Sequence, residues 1–341
     1  MKWLSFIRNK IVRNRSMCFF LSVLLVAGCL FGCGKATDGS KAKEGLKIVA
    51  TIFPEYDWVK NILGERAEEC ELTLLLDNGI DLHNYQPTSE DILKISTCDL
   101  FLYVGGESDH WVKDTLAEAT NQDMVVINLL EQLGESAKEE EIIEGMEAEE
   151  EEEGAEEEEE GPEYDEHVWL SLKNTSVLCD SIEKALETVD PDHADLYQAN
   201  TKSYQEQLAA LDEKYQDAAD HAGTKTLLFG DRFPFRYLID DYGLDYYAAF
   251  VGCSAETEAS FETIIFLSQK LDELKLNSIM TIDGSDQKLA ETIRDNTSTK
   301  DQKILSINSM QSATLEDAEN GTTYLSIMEQ NLDILKEALA S

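Results

Sequence analysis

The sequence predicts an α/β fold: two lobes, each with a four-stranded, mainly parallel sheet flanked by helices, joined by one long rigid helix. Three observations predict it. Short apolar, β-rich runs alternate with segments of helical spacing, the pattern of a parallel sheet. That alternation breaks once, from His193 to Ala222, a stretch without Gly or Pro. It then resumes with a second set of four strand-like runs.

In the first lobe, Leu46–Thr51 alternates and reads as a strand. Tyr56–Leu63 has helical spacing and stops at Gly64. Glu71–Leu76 is the second strand, and Thr88 or Ser89 caps the helix that follows. Asp99–Val104 is the third strand, closed by Gly105-Gly106, and Trp111–Ala119 is a helix. Met124–Asn128 is the fourth strand, and Asn174–Val189 is an amphipathic helix stopped by Asp190-Pro191. The run His193–Ala222 is polar on most faces and about 45 Å long at ~1.5 Å per residue, the mark of a helix bridging two domains. In the second lobe, strands are expected at Thr226–Phe229, Tyr246–Phe250, Ser278–Ile282 and Lys303–Ile307. Helices are expected at Phe235–Tyr242, Phe261–Leu274, Lys288–Asn296 and Tyr324–Leu339. The expected boundaries are 46–191 for the first lobe, 192–222 for the bridging helix and 223–341 for the second lobe.

The N-terminus is basic (Lys2, Arg8, Lys10, Arg13, Arg15) and leads into an apolar run from Met17 to Ala27. This is the pattern of an export signal, and the run is shorter than the roughly 20 residues of a spanning helix. Leu25-Val26-Ala27-Gly28-Cys29 resembles the lipobox of bacterial lipoproteins, with Cys33 a poorer second choice. The reading is a signal over 1–28, a lipid on Cys29, a polar tether over 29–45, and a protein held at the outer face of the cell membrane.

The net charge of −41 argues against nucleic acid as a partner. Residues 139–160 hold 15 Glu in 22 positions, and the rest still carries 54 acidic against 28 basic residues. The acidic stretch 139–161 cannot bury a core and is expected to be a solvated loop inserted in the first lobe. It either collects divalent cations or has no role. Cys70, Cys98, Cys179 and Cys253 are too few for a disulfide scaffold. Cys70 and Cys98 each precede a strand and are either bridged, should those strands be neighbours, or two buried thiols.

Two segments point to chemistry: Asp81-Leu82-His83-Asn84-Tyr85-Gln86-Pro87-Thr88 and Asp165-Glu166-His167-Val168-Trp169-Leu170. They hold two of only five histidines, each beside carboxylates. A neutral imidazole with carboxylate neighbours is a common way to hold a transition metal. His110, His193 and His221 sit at helix ends and read as surface residues.

With Thr51-Ile52-Phe53-Pro54-Glu55-Tyr56-Asp57-Trp58 after the first strand, these motifs resemble the metal-binding lipoproteins of bacterial zinc and manganese ABC importers, the cluster with a rigid backbone helix. The resemblance covers Lys47 to the C-terminus. It implies a metal between the lobes, two ligands from each, the first pair being His83 and His167. The third ligand falls in Phe229-Gly230-Asp231-Arg232-Phe233-Pro234-Phe235, where Asp231 is the plausible donor, unless it only pairs with Arg232. The fourth is an acid after the seventh strand, Asp283, rather than Asn308 after the eighth, with Asp286 and Glu258 in reserve; Asp283 could instead only shape its Asp-Gly turn. Two imidazoles and two carboxylates suit Zn or Mn. Cys253 reads as packing rather than as a soft ligand.

The implied function is a monomeric, non-catalytic binding lipoprotein that captures Zn2+, or next Mn2+, and delivers it to an ABC permease. A secreted metal-dependent hydrolase using the same cluster is the alternative, though no HExxH and no nucleophile elbow are present. An adhesin-type surface lipoprotein is a third reading.

Overall fold

The strand-forming runs do assemble into two four-stranded sheets in the computed structural model, which describes residues 45–77, 79–147, 163–254 and 258–340. The expected signal, Cys29 and nearly all of the tether lie outside the described residues. Among the described residues no helix is long and apolar enough to cross a membrane.

The first half contains β1 (Lys47–Ala50), α1 (Phe53–Leu63), β2 (Glu71–Leu74), α2 (Ser89–Thr97), β3 (Leu100–Tyr103), α3 (Val112–Ala117), β4 (Val125–Asn128) and α4 (Leu129–Leu133). Its sheet has the order β2-β1-β3-β4 and is wholly parallel. The central strands are the apolar ones: Ile48, Ala50, Leu100, Phe101 and Leu102 are fully buried. Helices cover both faces of a parallel sheet, so its strands read as apolar runs. Because β1 lies between β2 and β3, Cys70 and Cys98 precede strands that are not neighbours, and both are free thiols. α1 begins at Phe53, earlier than its periodicity suggested, because Pro54 fits the first helical turn and Glu55 accepts the amides of Thr51 (2.7 Å) and Ile52 (3.3 Å) just before it.

α5 (Leu172–Val189) and α6 (Ala194–Asp220) follow. α6 is less uniformly polar than its composition suggests. Tyr197, Thr201, Tyr204, Leu208, Leu211, Tyr215 and Ala219 recur every three or four residues and are buried. This stripe packs on α1 and α5, and on the final helix of the second half. Fully burying each large side chain contributes roughly 1.5–3 kcal/mol. Polar ties fix both sides: Asn200 donates to the carbonyl of Ile62 (2.9 Å) and Tyr215 to that of Met328 (2.6 Å).

The second half contains β5 (Thr226–Phe233), α7 (Arg236–Asp241), β6 (Asp245–Val251), α8 (Phe261–Leu274), β7 (Ser278–Ile282), α9 (Lys288–Asp295), β8 (Lys303–Ile307), α10 (Leu315–Glu319) and α11 (Tyr324–Leu339). Its sheet, β6-β5-β7-β8, is again parallel. β5 runs four residues beyond its expected end. Its register against β6 shifts between Phe229 and Arg232, so Gly230 and Asp231 form a bulge inside a strand rather than an open loop.

The start of the acidic insertion is not a free solvated loop. Residues 138–147 lie along the second half: the Glu147 amide donates to the Ala249 carbonyl (2.9 Å), Lys138 pairs with Asp240 (2.8 Å), and Glu141 pairs with Arg236. Residues 148–162 lie outside the described residues.

Candidate metal centre

Both sheets reverse direction of travel next to their first strand, at β1/β3 and at β5/β7. In open α/β sheets such switch points, at the C-terminal ends of strands, are where ligands bind. Both expected histidines lie at this end of the first half. His83 follows β2 in a 3-10 turn, Leu82–Asn84, whose buried Leu82 anchors it. Asp81 caps the turn by accepting from the amide of His83 (3.1 Å). His167 is fully buried and precedes a second 3-10 turn, Val168–Leu170, which is also fully buried.

The two imidazoles meet. Their Nε2 atoms are 3.2 Å apart. On the far side of His167, Nδ1 lies 3.0 Å from Asp165 Oδ1, which also accepts the backbone amide of His167 (2.8 Å). A carboxylate only accepts, so the ring proton of His167 belongs on Nδ1, and its Nε2 lone pair faces His83 and Gln311. His83 Nδ1 lies 2.8 Å from Ser108 Oγ and 3.4 Å from Glu166 Oε2. Glu166 Oε1 accepts the amide of Ser108 (2.8 Å), which holds that oxygen pair in place. Burial pushes Glu166 up, but the hydrogen bonds and charge of His83, with Ser108, hold its pKa below the usual carboxylate range. The close approach requires glycine at 106: φ is +81°, and a Cβ there would lie 2.3 Å from Glu166 Oε1. Two Nε2 atoms this close, each ring backed through its Nδ1, can share one cation between them, which is the donor arrangement of a transition-metal site.

The loop bearing His167 is bolted to the second half. Trp169 Nε1 donates to the Ser309 carbonyl (2.9 Å), Tyr237 to the Asp165 carbonyl (2.9 Å), and Tyr324 to the Trp169 carbonyl (2.7 Å). Gln311 reaches in from beyond β8: its Nε2 is 3.3 Å from His167 Nε2 and 3.2 Å from Asp81 Oδ1. Arg232 forms an ion pair with Asp81. Burial pushes Asp81 up, but Arg232 and His83 hold it below its ordinary value.

The acids expected from the second half are placed differently. Asp231 lies in the β5 bulge, where its carboxylate accepts the amides of Arg232 (2.9 Å) and Ile282 (3.3 Å), and burial pushes its pKa up. Asp283 accepts the amide (2.6 Å) and hydroxyl (2.9 Å) of Ser309 and the hydroxyl of Ser312 (2.5 Å). Both line a cleft of about 820 Å³ that also touches Asp81, Arg232 and Gln311. Asn308 caps a turn by accepting the Met310 amide (2.7 Å), Asp286 pairs with Lys288, and Glu258 lies on the cleft wall. Among the described residues, the donors that gather within 4.8 Å of one another are His83, His167 and Cys253.

Cys253 stands just past β6, and burial with Glu166, Glu140 and Asp165 nearby holds its thiol well above the ordinary value. Sequence reasoning set Cys253 aside and missed Ser108 and Gln311, because each reaches the histidines from a distant strand end. The strand ends themselves were the available signal. His110, His193 and His221 are elsewhere, each bonding an oxygen of its own helix end.

The chain is 29% identical over 317 residues to the zinc-binding lipoprotein AdcA of Streptococcus pneumoniae, covering 93% of this chain and 60% of that protein. The chain thus spans about three-fifths of the AdcA relatives it matches. It is 30% identical over 316 residues to the high-affinity zinc uptake system protein ZnuA of Bacillus subtilis, covering 93% and 94%. The crystal structure of the Zn(II)-bound ZnuA-like domain of S. pneumoniae AdcA superposes with a TM-score of 0.67 at 27% identity, over 87% of this chain and 99% of that one. The profile of the family described as zinc-uptake complex component A, periplasmic, matches residues 48–338, and the chain belongs to that family.

Proposed function

We propose that the chain captures a zinc ion outside the cell membrane and delivers it to the permease of an ABC importer. The observation that carries this reading is the His83–His167 pair: two Nε2 atoms 3.2 Å apart, each imidazole held from behind through Nδ1. Relatives of the whole chain are named for zinc binding and zinc uptake, and a neutral imidazole pair suits zinc better than manganese. Capture proceeds by ligand exchange: the lone pairs displace water from the hydrated ion, and the Asp165 and Glu166 carboxylates keep the rings aimed.

Asp231 and Asp283 act from the cleft wall. Their oxygens already accept hydrogen bonds within the second half, so their contribution is charge that draws the cation toward the histidines. The reading is binding, not catalysis. The lipid on Cys29 would hold the monomer at the outer face of the membrane, within reach of the permease. The test is uptake: cells making the chain should accumulate radioactive zinc from zinc-poor medium faster than cells lacking it. Equal uptake contradicts the proposal.

A further inference from the structure

We propose that Cys253 is the second half's ligand to the captured ion, giving a His83–His167–Cys253 centre with the fourth position open to water. The inference rests on the zinc-capture reading and adds to it a donor and a metal preference.

Position carries the argument. The Sγ of Cys253 and a ring nitrogen of each histidine lie within 4.8 Å of one another. Cys253 follows β6 in a turn closed by the Ser254 amide on the Val251 carbonyl (3.4 Å), and its own amide meets Glu140 Oε1 (3.4 Å). The turn is pressed onto the ring of His167. A Cβ at Gly252 would lie 3.0 Å from Cε1 and 3.1 Å from Nδ1 of His167, and 2.9 Å from the Phe233 carbonyl. Such contacts need glycine at 252 and put the next side chain beside the imidazole pair.

The charged candidates of the second half already hold other partners. Asp231 accepts two backbone amides, Asp283 accepts three hydrogen bonds from Ser309 and Ser312, and Arg232 faces Asp81. Cys253 is the second-half donor whose Sγ lies within 4.8 Å of a ring nitrogen of each histidine.

The Sγ–H proton leaves to solvent, a water leaves the ion, and one metal–sulfur bond forms; a coordinating thiol is deprotonated outright by the cation. Three protein donors and one open position are a stable tetrahedral arrangement for zinc, and the open position lets a ligand enter for release. A thiolate is a soft donor, so this centre prefers zinc to manganese.

The test loads the full chain with cobalt(II), whose spectrum reports its ligands. The expected result is an intense near-ultraviolet thiolate-to-cobalt band in the wild type. The band is absent in Cys253→Ser, which binds at least about tenfold more weakly, since even outer-shell partners are worth 10–100-fold. X-ray absorption of the zinc-loaded wild type should show a sulfur at about 2.3 Å, a readout that needs no variant. Cobalt bound with no thiolate band, or a band that survives in Cys253→Ser, overturns the proposal while leaving zinc capture standing. Failure of the wild type to bind either ion overturns both.

Discussion

Asp81 and Arg232, both lining the cleft, form an ion pair that joins the two halves two residues from His83. The same Asp81 carboxylate caps the turn that carries His83 and accepts from Gln311. The position of the first imidazole is therefore coupled to the second half. Both side chains are mostly buried, so breaking the pair leaves a charge without its partner. A double-mutant cycle of Asp81→Asn and Arg232→Gln in urea unfolding should return a coupling of about 0.5–3 kcal/mol. Additive single effects would show that the pair contributes nothing. Because Asp81 is held below its ordinary value, its contribution is present above the unfolded-state pKa and is lost as pH falls through the folded one.

Asp165 holds His167 from behind, its Oδ1 meeting both the ring Nδ1 (3.0 Å) and the backbone amide (2.8 Å). Asp165→Asn can offer an amide N–H to Nδ1, which favours the wrong tautomer and turns the ring proton toward the metal. Zinc affinity should fall by about 10–100-fold with little change in stability. Calorimetric titration reads this directly, and unchanged affinity would remove Asp165 from the account.

Two buried acids of α1, Glu55 and Asp57, set a stability profile in pH. Burial first, then the charge of Asp109, pushes Glu55 from 4.5 up to about 8, despite hydrogen bonds from Thr51 and Ile52. Burial pushes Asp57 from 3.8 up to about 6, although it accepts the amide of Tyr324 from the second half. A raised carboxyl pKa means the folded state binds the proton more tightly. These groups stabilise fully below the unfolded values, and that stability is lost as pH rises to about 8. Denaturant unfolding should show stability declining across that window, and Glu55→Gln, which mimics the neutral acid, should flatten the decline. A profile that rises instead would contradict the assignment.

The Trp169–Ser309 hydrogen bond fastens the His167 loop to the second half. Trp169→Phe keeps the ring in its buried site but leaves the Ser309 carbonyl without that donor. The expected cost is about 1–3 kcal/mol by chemical denaturation. No loss would mean that the loop is held by Tyr237 and Tyr324 alone.

Much of this arrangement was legible in the chain because its causes are local. Runs such as Ile48-Val49-Ala50 and Ser278–Ile282 are buried strands by composition alone, and both histidine motifs carry their own carboxylates. What was not legible depends on strand order and register. Nothing near Cys70 or Cys98 says that β1 lies between the strands they precede. The bulge that turns Asp231 onto backbone amides is a mismatch between β5 and β6, invisible in either strand alone. Cys253 meets His167 through a turn 86 positions away, and only the close packing of Gly252 reveals the contact. The polar look of α6 came from composition, while its buried stripe appears only when residues are counted at helical spacing.

The central claim is that His83 and His167 together hold the ion. Its most direct measurement is calorimetric zinc titration of the metal-stripped full chain beside His83→Ala and His167→Ala. One tight site is expected in the wild type, and a loss of at least about tenfold in each variant with the fold retained. Zinc binding of equal tightness in both variants, or none in the wild type, would contradict it.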